Sequence, residues 1–276
     1  MTCTSPVTLK TGLEVPCGKC TSCRIQRSRE WTVRLMHEAT KHKHATFLTL
    51  TYSDDYIPTQ ETFIGDEFIV VSNTLVKQDL QDFFRRLRYD LPDRNIKYLA
   101  CGEYGDRTER PHYHAIIFDL APTETEVIQE NWPLGHTYQG ILTYDSARYV
   151  TDYIFKKWYG KEDSPYGLRE NPFQLMSKGL GKDWALENHQ RIIDQEYNIT
   201  LNGRKVGIPR YYKKKLELSK EELAEIAIKH NNDLEQFWRD RGAKSIISVR
   251  RQIESARDLQ EKTLKAKQAM FRKEKI

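Results

Sequence analysis

The sequence predicts an α+β fold, a ferredoxin-like antiparallel sheet of about five strands with flanking helices. Three observations carry that expectation. Ala45 to Tyr52, Ile96 to Glu103 and the run ending His112-Tyr113-His114-Ala115-Ile116-Ile117-Phe118 read as strands, where successive side chains fall on opposite faces. Between the first two, Leu80, Phe83, Phe84 and Leu87 recur at helical spacing from Val76 to Leu91, and Pro92 ends that helix. A helix from Thr123 to Trp132, a strand from Tyr138 to Thr143 and a helix from Ser146 to Trp158 complete the order β-α-β-β-α-β followed by a helix.

Before the sheet, four of the five cysteines lie in the first tenth of the chain, as Cys3 and then Cys17, Cys20 and Cys23. Thiolates two residues apart converge on one zinc, and Cys3 completes a tetrahedral set, so a structural Zn²⁺ knuckle is expected rather than disulfides. Cys101 sits in an apolar strand and reads as a small buried hydrophobe. A helix from Arg24 through Trp31, Leu35 and Met36 carries Arg24, Arg27, Arg29 and Arg34, which either track DNA phosphates or form a solvated face.

In the predicted first strand Phe47, Thr49 and Thr51 share one face and Leu48, Leu50 and Tyr52 the other. Ser53-Asp54-Asp55 and Pro58 break it, and Phe68 to Val71 gives a short further strand. Beyond Gly160 the pattern weakens: Trp184 to Ile193 looks helical, and Tyr197 to Ile208 reads as a hairpin around Asn202-Gly203. Arg210, Tyr211 and Lys213 belong to a run mixing aromatics with cations, suited either to unpaired bases and phosphates or to a plain surface loop. Past Leu216 the chain is charged and helical, with capping-box spacing at Ser219 and Glu222 and coiled-coil spacing of Ile246, Val249, Ile253 and Ala256. This extension would pack on the core, pair with a second copy, or contact DNA or a host protein.

At 276 residues the chain can bury a core, as one large domain or one with appendages. Its net charge of +5 is a mild bias toward polyanions, too weak to identify nucleic acid unaided. No apolar run spans a bilayer and the polar start Met1 to Pro6 has no signal-peptide core, so a cytosolic protein with no membrane partner is expected. No G-x-x-x-x-G-K-[ST] loop occurs, which argues against a helicase.

Chemistry concentrates on the strand of the paired histidines. His112 and His114 point the same way, and a hairpin centred between Arg107 and Thr108 sets Glu103 opposite His112. Two imidazoles and a carboxylate with open positions suit a divalent ion that polarises a phosphodiester oxygen. Downstream, Tyr149 and Tyr153 share a helix face, with Lys156 and Lys157 one turn on, and tyrosine can be a covalent nucleophile.

At these residues the chain resembles the replication initiators of the HUH endonuclease superfamily, two-tyrosine class, and most closely those of gokushovirus-type microviruses. Phe47-Leu48-Thr49-Leu50-Thr51-Tyr52 is similar to the family's first motif, Pro111-His112-Tyr113-His114 to its metal motif, and Tyr149-x3-Tyr153 to its nucleophile motif. The resemblance runs from Met1 to about Tyr212 and implies an HUH endonuclease core. It also implies that the protein nicks a single-stranded DNA origin, stays linked to the 5′ phosphate through tyrosine, and leaves a 3′ hydroxyl for rolling-circle replication. Mg²⁺ or Mn²⁺ would sit on His112, His114 and Glu103, and a separate host helicase would unwind the duplex in the bacterial cytoplasm. Some relatives carry a lysine just before the second tyrosine; Asp152 stands here, which leaves Lys156 and Lys157 as the candidate basic partners.

The expected organisation is 1–44 for the cysteine cluster and basic helix, 45–160 for the HUH core, 161–215 for a peripheral helix and hairpin, and 216–276 for the helical extension. Two other functions fit the same residues. An HUH transposase or relaxase would use this chemistry on different DNA, and a zinc-stabilised DNA-binding module would use its tyrosines only for packing.

Overall fold

A computed structural model describes residues 3–10, 14–153, 166–201 and 203–273. The chain forms two compact units, Arg34–Gly181 and Met1–Val33 together with Lys182–Ile276. In chain order the elements begin with the two-residue strands β1 (Val7–Thr8) and β2 (Glu14–Val15), which pair with each other, and helix α1 (Thr21–Ala39), which contributes residues to both units.

The Arg34–Gly181 unit is built on strand β3 (Ala45–Tyr52), the ribbon of β4 (Thr59–Ile64) and β5 (Glu67–Ser72), helix α2 (Lys77–Asp90), and strands β6 (Tyr98–Tyr104) and β7 (Pro111–Phe118). Helix α3 (Thr125–Asn131), strand β8 (Gly135–Ile141), helix α4 (Tyr144–Asp152) and strand β9 (Phe173–Met176) follow. Five strands make one sheet in the order β8-β3-β7-β6-β9, and each neighbouring pair is antiparallel.

Strict alternation along β3 decides which face is core. Leu48 and Leu50 are fully buried and Tyr52 nearly so, packed with Tyr113, Ala115 and Ile117 of β7 against Leu80, Phe83, Phe84 and Leu87 of α2 and Ile128 of α3. That alternation is what leaves Phe47, Thr49, Thr51, His112 and His114 together on the other face. Tyr113, between the two histidines, anchors their strand from the core side: its hydroxyl takes the Val76 N–H at 3.0 Å and donates to the Val76 carbonyl at 2.8 Å.

Two strands differ from expectation. Phe68 to Val71 does form a strand, but β5 pairs with β4 in a separate ribbon, and the fifth strand of the sheet is β9 on the free edge of β6. The exposed Phe63, Phe68 and Val70 show why the ribbon stays out of the sheet: it has no buried face to contribute. Strand β8 starts three residues earlier than the expected Tyr138. Gly135 permits this, because a Cβ there would stand 2.2 Å from the Thr51 carbonyl oxygen.

In the other unit, the expected helix from Trp184 to Ile193 is two short ones, α5 (Lys182–Glu187) and α6 (His189–Asp194), joined at Asn188. The hairpin of β10 (Asn198–Leu201) and β11 (Arg204–Gly207) pairs Leu201 with Arg204 across a turn at Gly203, whose φ is 72°. Asn202 lies outside the described residues. Arg210 to Lys215 is not a loop but helix α7 (Arg210–Lys215), which buries Tyr212 with Val33, Ala185, Ile192 and Ile208. Helix α8 (Lys220–Arg239) starts at a full capping box between Ser219 and Glu222, and α9 (Ile246–Lys273) runs back to the amino-terminal segment. There Arg257 pairs with Glu14 at 2.7 Å, Gln260 donates to Ser22 at 2.6 Å, and Thr4 donates to Glu261. Among the described residues no helix is long and apolar enough to cross a membrane.

Candidate active site

The β6–β7 ladder pairs Glu103 with His112 and Cys101 with His114, so Glu103, His112 and His114 occupy adjacent rows of one face. Glu103 is almost fully buried, and its Oε1 lies 3.0 Å from His112 Nε2 and 3.2 Å from His114 Nε2. Ligands at right angles around an ion at about 2.1 Å are about 3.0 Å apart, so this donor set fits a hard divalent cation.

The hydrogen bonds of the other ring nitrogens support the fit. His112 Nδ1 is 3.1 Å from the Arg110 carbonyl, which can only accept; the hydrogen is therefore on Nδ1, and the neutral ring presents a lone pair on Nε2 to Glu103. A carboxylate facing a lone pair at 3.0 Å is stable when a cation joins them or the imidazole is protonated. His114 Nδ1 lies 2.9 Å from Thr49 Oγ1, which fixes that ring from β3.

Helix α4 brings both tyrosines to this triad. Thr143 caps it in a reciprocal box with Ser146, and Ala147, Val150 and Thr151 bury its inner stripe. Tyr149 is 45% exposed, with its hydroxyl 3.4 Å from His114 Nε2 and its ring against Phe47. Tyr153 follows at the end of the helix, its ring stacked on His114 with centroids 5.5 Å apart and perpendicular to Tyr149 at 4.9 Å. Burial, together with the negative charge of Glu103, pushes the Tyr153 phenol well above its ordinary pKa. Asp152 points along α4 to Arg148 at 3.5 Å. Lys156 and Lys157 lie outside the described residues.

The cysteines converge as the spacing predicts. Cys3 Sγ is 3.6 Å from Cys17 Sγ and 3.7 Å from Cys20 Sγ, and Cys17 is 4.0 Å from Cys23. Four sulfurs about 2.3 Å from one ion are about 3.8 Å apart, so the set fits tetrahedral zinc. Backbone N–H groups of Lys19 and Cys20 point at Cys17 Sγ, and that of Cys17 at Cys3 Sγ. Burial raises Cys20, but hydrogen bonds from Thr4 and Cys23 outweigh it and hold that thiol at about 6; burial pushes Cys23 the other way, and the Cys20 charge adds to it. Four thiolates this close ionise together only around a cation. Cys101 is buried and all five cysteines are thiols.

The basic residues are more dispersed. Arg27 is exposed and Arg24 half-buried on α1, while Arg34 is buried and donates to the Leu180 carbonyl at 3.0 Å. Arg210 is exposed, Tyr211 is half-buried with Lys215 over its ring, and burial holds the Lys213 amine below its ordinary range. Thr49 and Phe47 belong to the site through their contacts with His114 and Tyr149. Alternation put both on one face of β3; only the β3–β7 pairing shows that it is the face of the histidines.

An open antiparallel sheet carrying a carboxylate, two imidazoles and two tyrosines at one point defines a candidate metal-dependent phosphoryl-transfer site. Residues 45–158 match the family model of the replication-associated protein ORF2 and gene 2 protein. The replication-associated protein VP4 of Bdellovibrio phage phiMH2K is 30% identical over 87% of this chain and 85% of its own length. The replication-associated protein ORF2 of Spiroplasma virus 4 is 32% identical over 74% and 68%, and ORF4 of Chlamydia phage 1 is 28% identical over 80% and 58%. No solved structure matches significantly. The chain belongs to the family of replication-associated proteins of gokushovirus-type microviruses.

Proposed function

We propose that this protein starts and ends rolling-circle replication of a small phage genome by nicking and rejoining single-stranded DNA, as a two-tyrosine HUH endonuclease. The observation that carries the reading is the meeting of both tyrosine rings with His114 of the Glu103–His112–His114 set. The strand order, in which the first and third strands of a β-α-β-β-α-β unit are central neighbours, supports a ferredoxin-like HUH core over about 45–160. The cysteine cluster with the first helix, the peripheral segment 161–215 and the helices from 216 are then its appendages.

His112, His114 and Glu103 would hold Mg²⁺ or Mn²⁺, and Cys3, Cys17, Cys20 and Cys23 a structural Zn²⁺. A divalent cation bound by the triad supplies charge stabilisation at the phosphate oxygens. Tyr149, the more exposed phenol, attacks the phosphorus; its oxygen forms the new P–O bond as the bond to the 3′ oxygen breaks. The phenol proton ends on that 3′ hydroxyl, with Lys156 or Lys157 as the candidate relay. Tyr153 then cuts the regenerated origin, and the freed 3′ hydroxyl attacks the first phosphotyrosine to close the circle and release Tyr149. The phosphotyrosine conserves the bond energy, so no nucleotide cofactor is needed. Arg24, Arg27, Arg210, Tyr211 and Lys213 are proposed to contact the DNA, a host helicase to unwind it, and the bacterial cytoplasm to be the site of action.

Nicking of a labelled origin oligonucleotide in Mn²⁺ tests this reading. Wild type should cut at one phosphate, and the double variant His112→Ala/His114→Ala should lose cutting by at least about a hundredfold while remaining folded. Cutting at the normal rate by that variant would end the proposal.

A further inference from the structure

Strand pairing sets one straight row of side chains across the sheet: Tyr138 on β8, Thr49 on β3, His114 on β7, Cys101 on β6 and Gln174 on β9 are successive partners. Partners face the same way, so Tyr138 stands on the face of the metal triad, two strands from His114, about 10 Å away. Tyr138 is 64% exposed, on a strand that forms the outer edge of the sheet. The inner strand carries Phe47 on that face, and Phe47 in turn contacts Tyr149, their ring centroids 6.1 Å apart.

Between the two rings lies Gly140, paired with Phe47. A Cβ built on Gly140 would be 3.7 Å from the Phe47 ring and 3.9 Å from the Tyr138 ring, in contact with both. The strand tolerates an alanine here, so the glycine is not required by backbone geometry; its effect is to keep the floor between the rings bare. The outcome is an open slot walled by Phe47 and Tyr138, whose inner wall touches a candidate nucleophile. His136, exposed and on the same face beside Thr51, stands at its end.

We infer that Phe47, Gly140 and Tyr138 form a stacking slot for one unpaired DNA base next to the scissile phosphate, placing that phosphate over Tyr149. This rests on the nicking reading for the identity of the strand. The chemistry of the slot itself asks only for a flat aromatic group on a chain whose phosphate reaches the triad. A folded duplex would not enter, because its bases are already stacked and paired. Tyr138 is thus a positioning residue rather than a catalytic one: it acts on where the phosphate sits.

The test uses the full chain with Tyr149→Phe and Tyr153→Phe, in Mn²⁺ and with its zinc, so that binding is read without cleavage. Single-stranded origin oligonucleotides carrying 2-aminopurine at one position at a time report stacking as fluorescence quenching. Quenching should peak at one base adjoining the nick. Adding Tyr138→Ala should abolish that peak and weaken binding by about tenfold, whereas Tyr138→Phe should keep both. Gly140→Val should match Tyr138→Ala, since it fills the floor while leaving the tyrosine in place. In the nicking-competent chain, Tyr138→Ala should raise KM for the oligonucleotide more than it lowers kcat, and it should leave Mn²⁺ binding and thermal unfolding unchanged. Undiminished quenching and affinity in Tyr138→Ala and Gly140→Val would overturn the slot even if nicking proceeds normally. Conversely, loss of nicking with Tyr138-dependent quenching intact would overturn the enzymatic reading and spare the slot.

Discussion

At the scale of the residue, the site is specified by what each side chain's far end is tied to. His112 is held by the Arg110 carbonyl and His114 by Thr49, so both present Nε2 toward Glu103 without needing to reorganise. Glu103→Ala should therefore weaken Mn²⁺ binding and nicking about as much as loss of either histidine, a comparison titration calorimetry can make directly. Tyr113 tests the opposite face. Tyr113→Phe would leave the Val76 N–H without its 3.0 Å partner in the core, at a cost of about 1–3 kcal/mol, with Mn²⁺ affinity unchanged. A second buried cluster carries a pH dependence. His42 bridges Glu38 at 2.9 Å and Asp119 at 2.7 Å, and Lys97 donates to Glu38 at 2.7 Å. Burial opposes the charge on His42, but its two carboxylate partners outweigh burial and raise its pKa; the same kind of balance, with His42 and Lys97 as donors, lowers Glu38 to about 2. The His42 contribution is complete below its ordinary value of 6.5 and fades as pH rises through the raised one, while that of Glu38 is complete above 4.5 and fades as pH falls toward 2. Stability from this cluster should thus be greatest between the two ordinary values, and His42→Gln should flatten the alkaline side of a denaturation-midpoint profile.

At the scale of the element, the sequence was most legible where a period of two or of 3.6 runs unbroken. Strand β3, helix α2 and the β6–β7 hairpin each bury one face completely, which leaves alternation no freedom, and the hairpin's symmetry alone is enough to put Glu103 opposite His112. Strand β9 was not legible: four residues long, it makes its sheet contacts only with β6, far away in sequence, and nothing local marks it. The ribbon partner β4 was hidden for another reason, since a strand without a buried face has no hydrophobic pattern to read. The cysteine spacing was legible because ligand geometry is local, whereas the tie of α9 to that segment is not. The tie has a consequence: removing zinc should loosen α9 as well as the knuckle, so hydrogen exchange should rise near Arg257 and Gln260 together with Cys17 to Cys23. Protection that falls only at the cysteines would show the contacts with α9 to be energetically minor.

At the scale of the whole molecule, the two compact units separate two kinds of metal chemistry. The Cys3–Cys17–Cys20–Cys23 set belongs to one and the Glu103–His112–His114 set to the other. Thiolates and carboxylate–imidazole donors select different ions, so zinc and manganese should titrate independently, with about one zinc per chain retained through exposure to excess Mn²⁺. The net charge of +5 matters little beside where the tyrosines stand. The most direct measurement is therefore the site of covalent attachment. Incubation with Mn²⁺ and single-stranded origin DNA should give a protein–DNA adduct through a 5′ phosphate, mapped by mass spectrometry to Tyr149 or Tyr153. Each single Phe variant should retain some first cleavage but fail to circularise DNA, and the double variant should form no adduct while still binding the oligonucleotide. An adduct on any other residue, or one that persists in the double variant, would contradict the two-tyrosine mechanism.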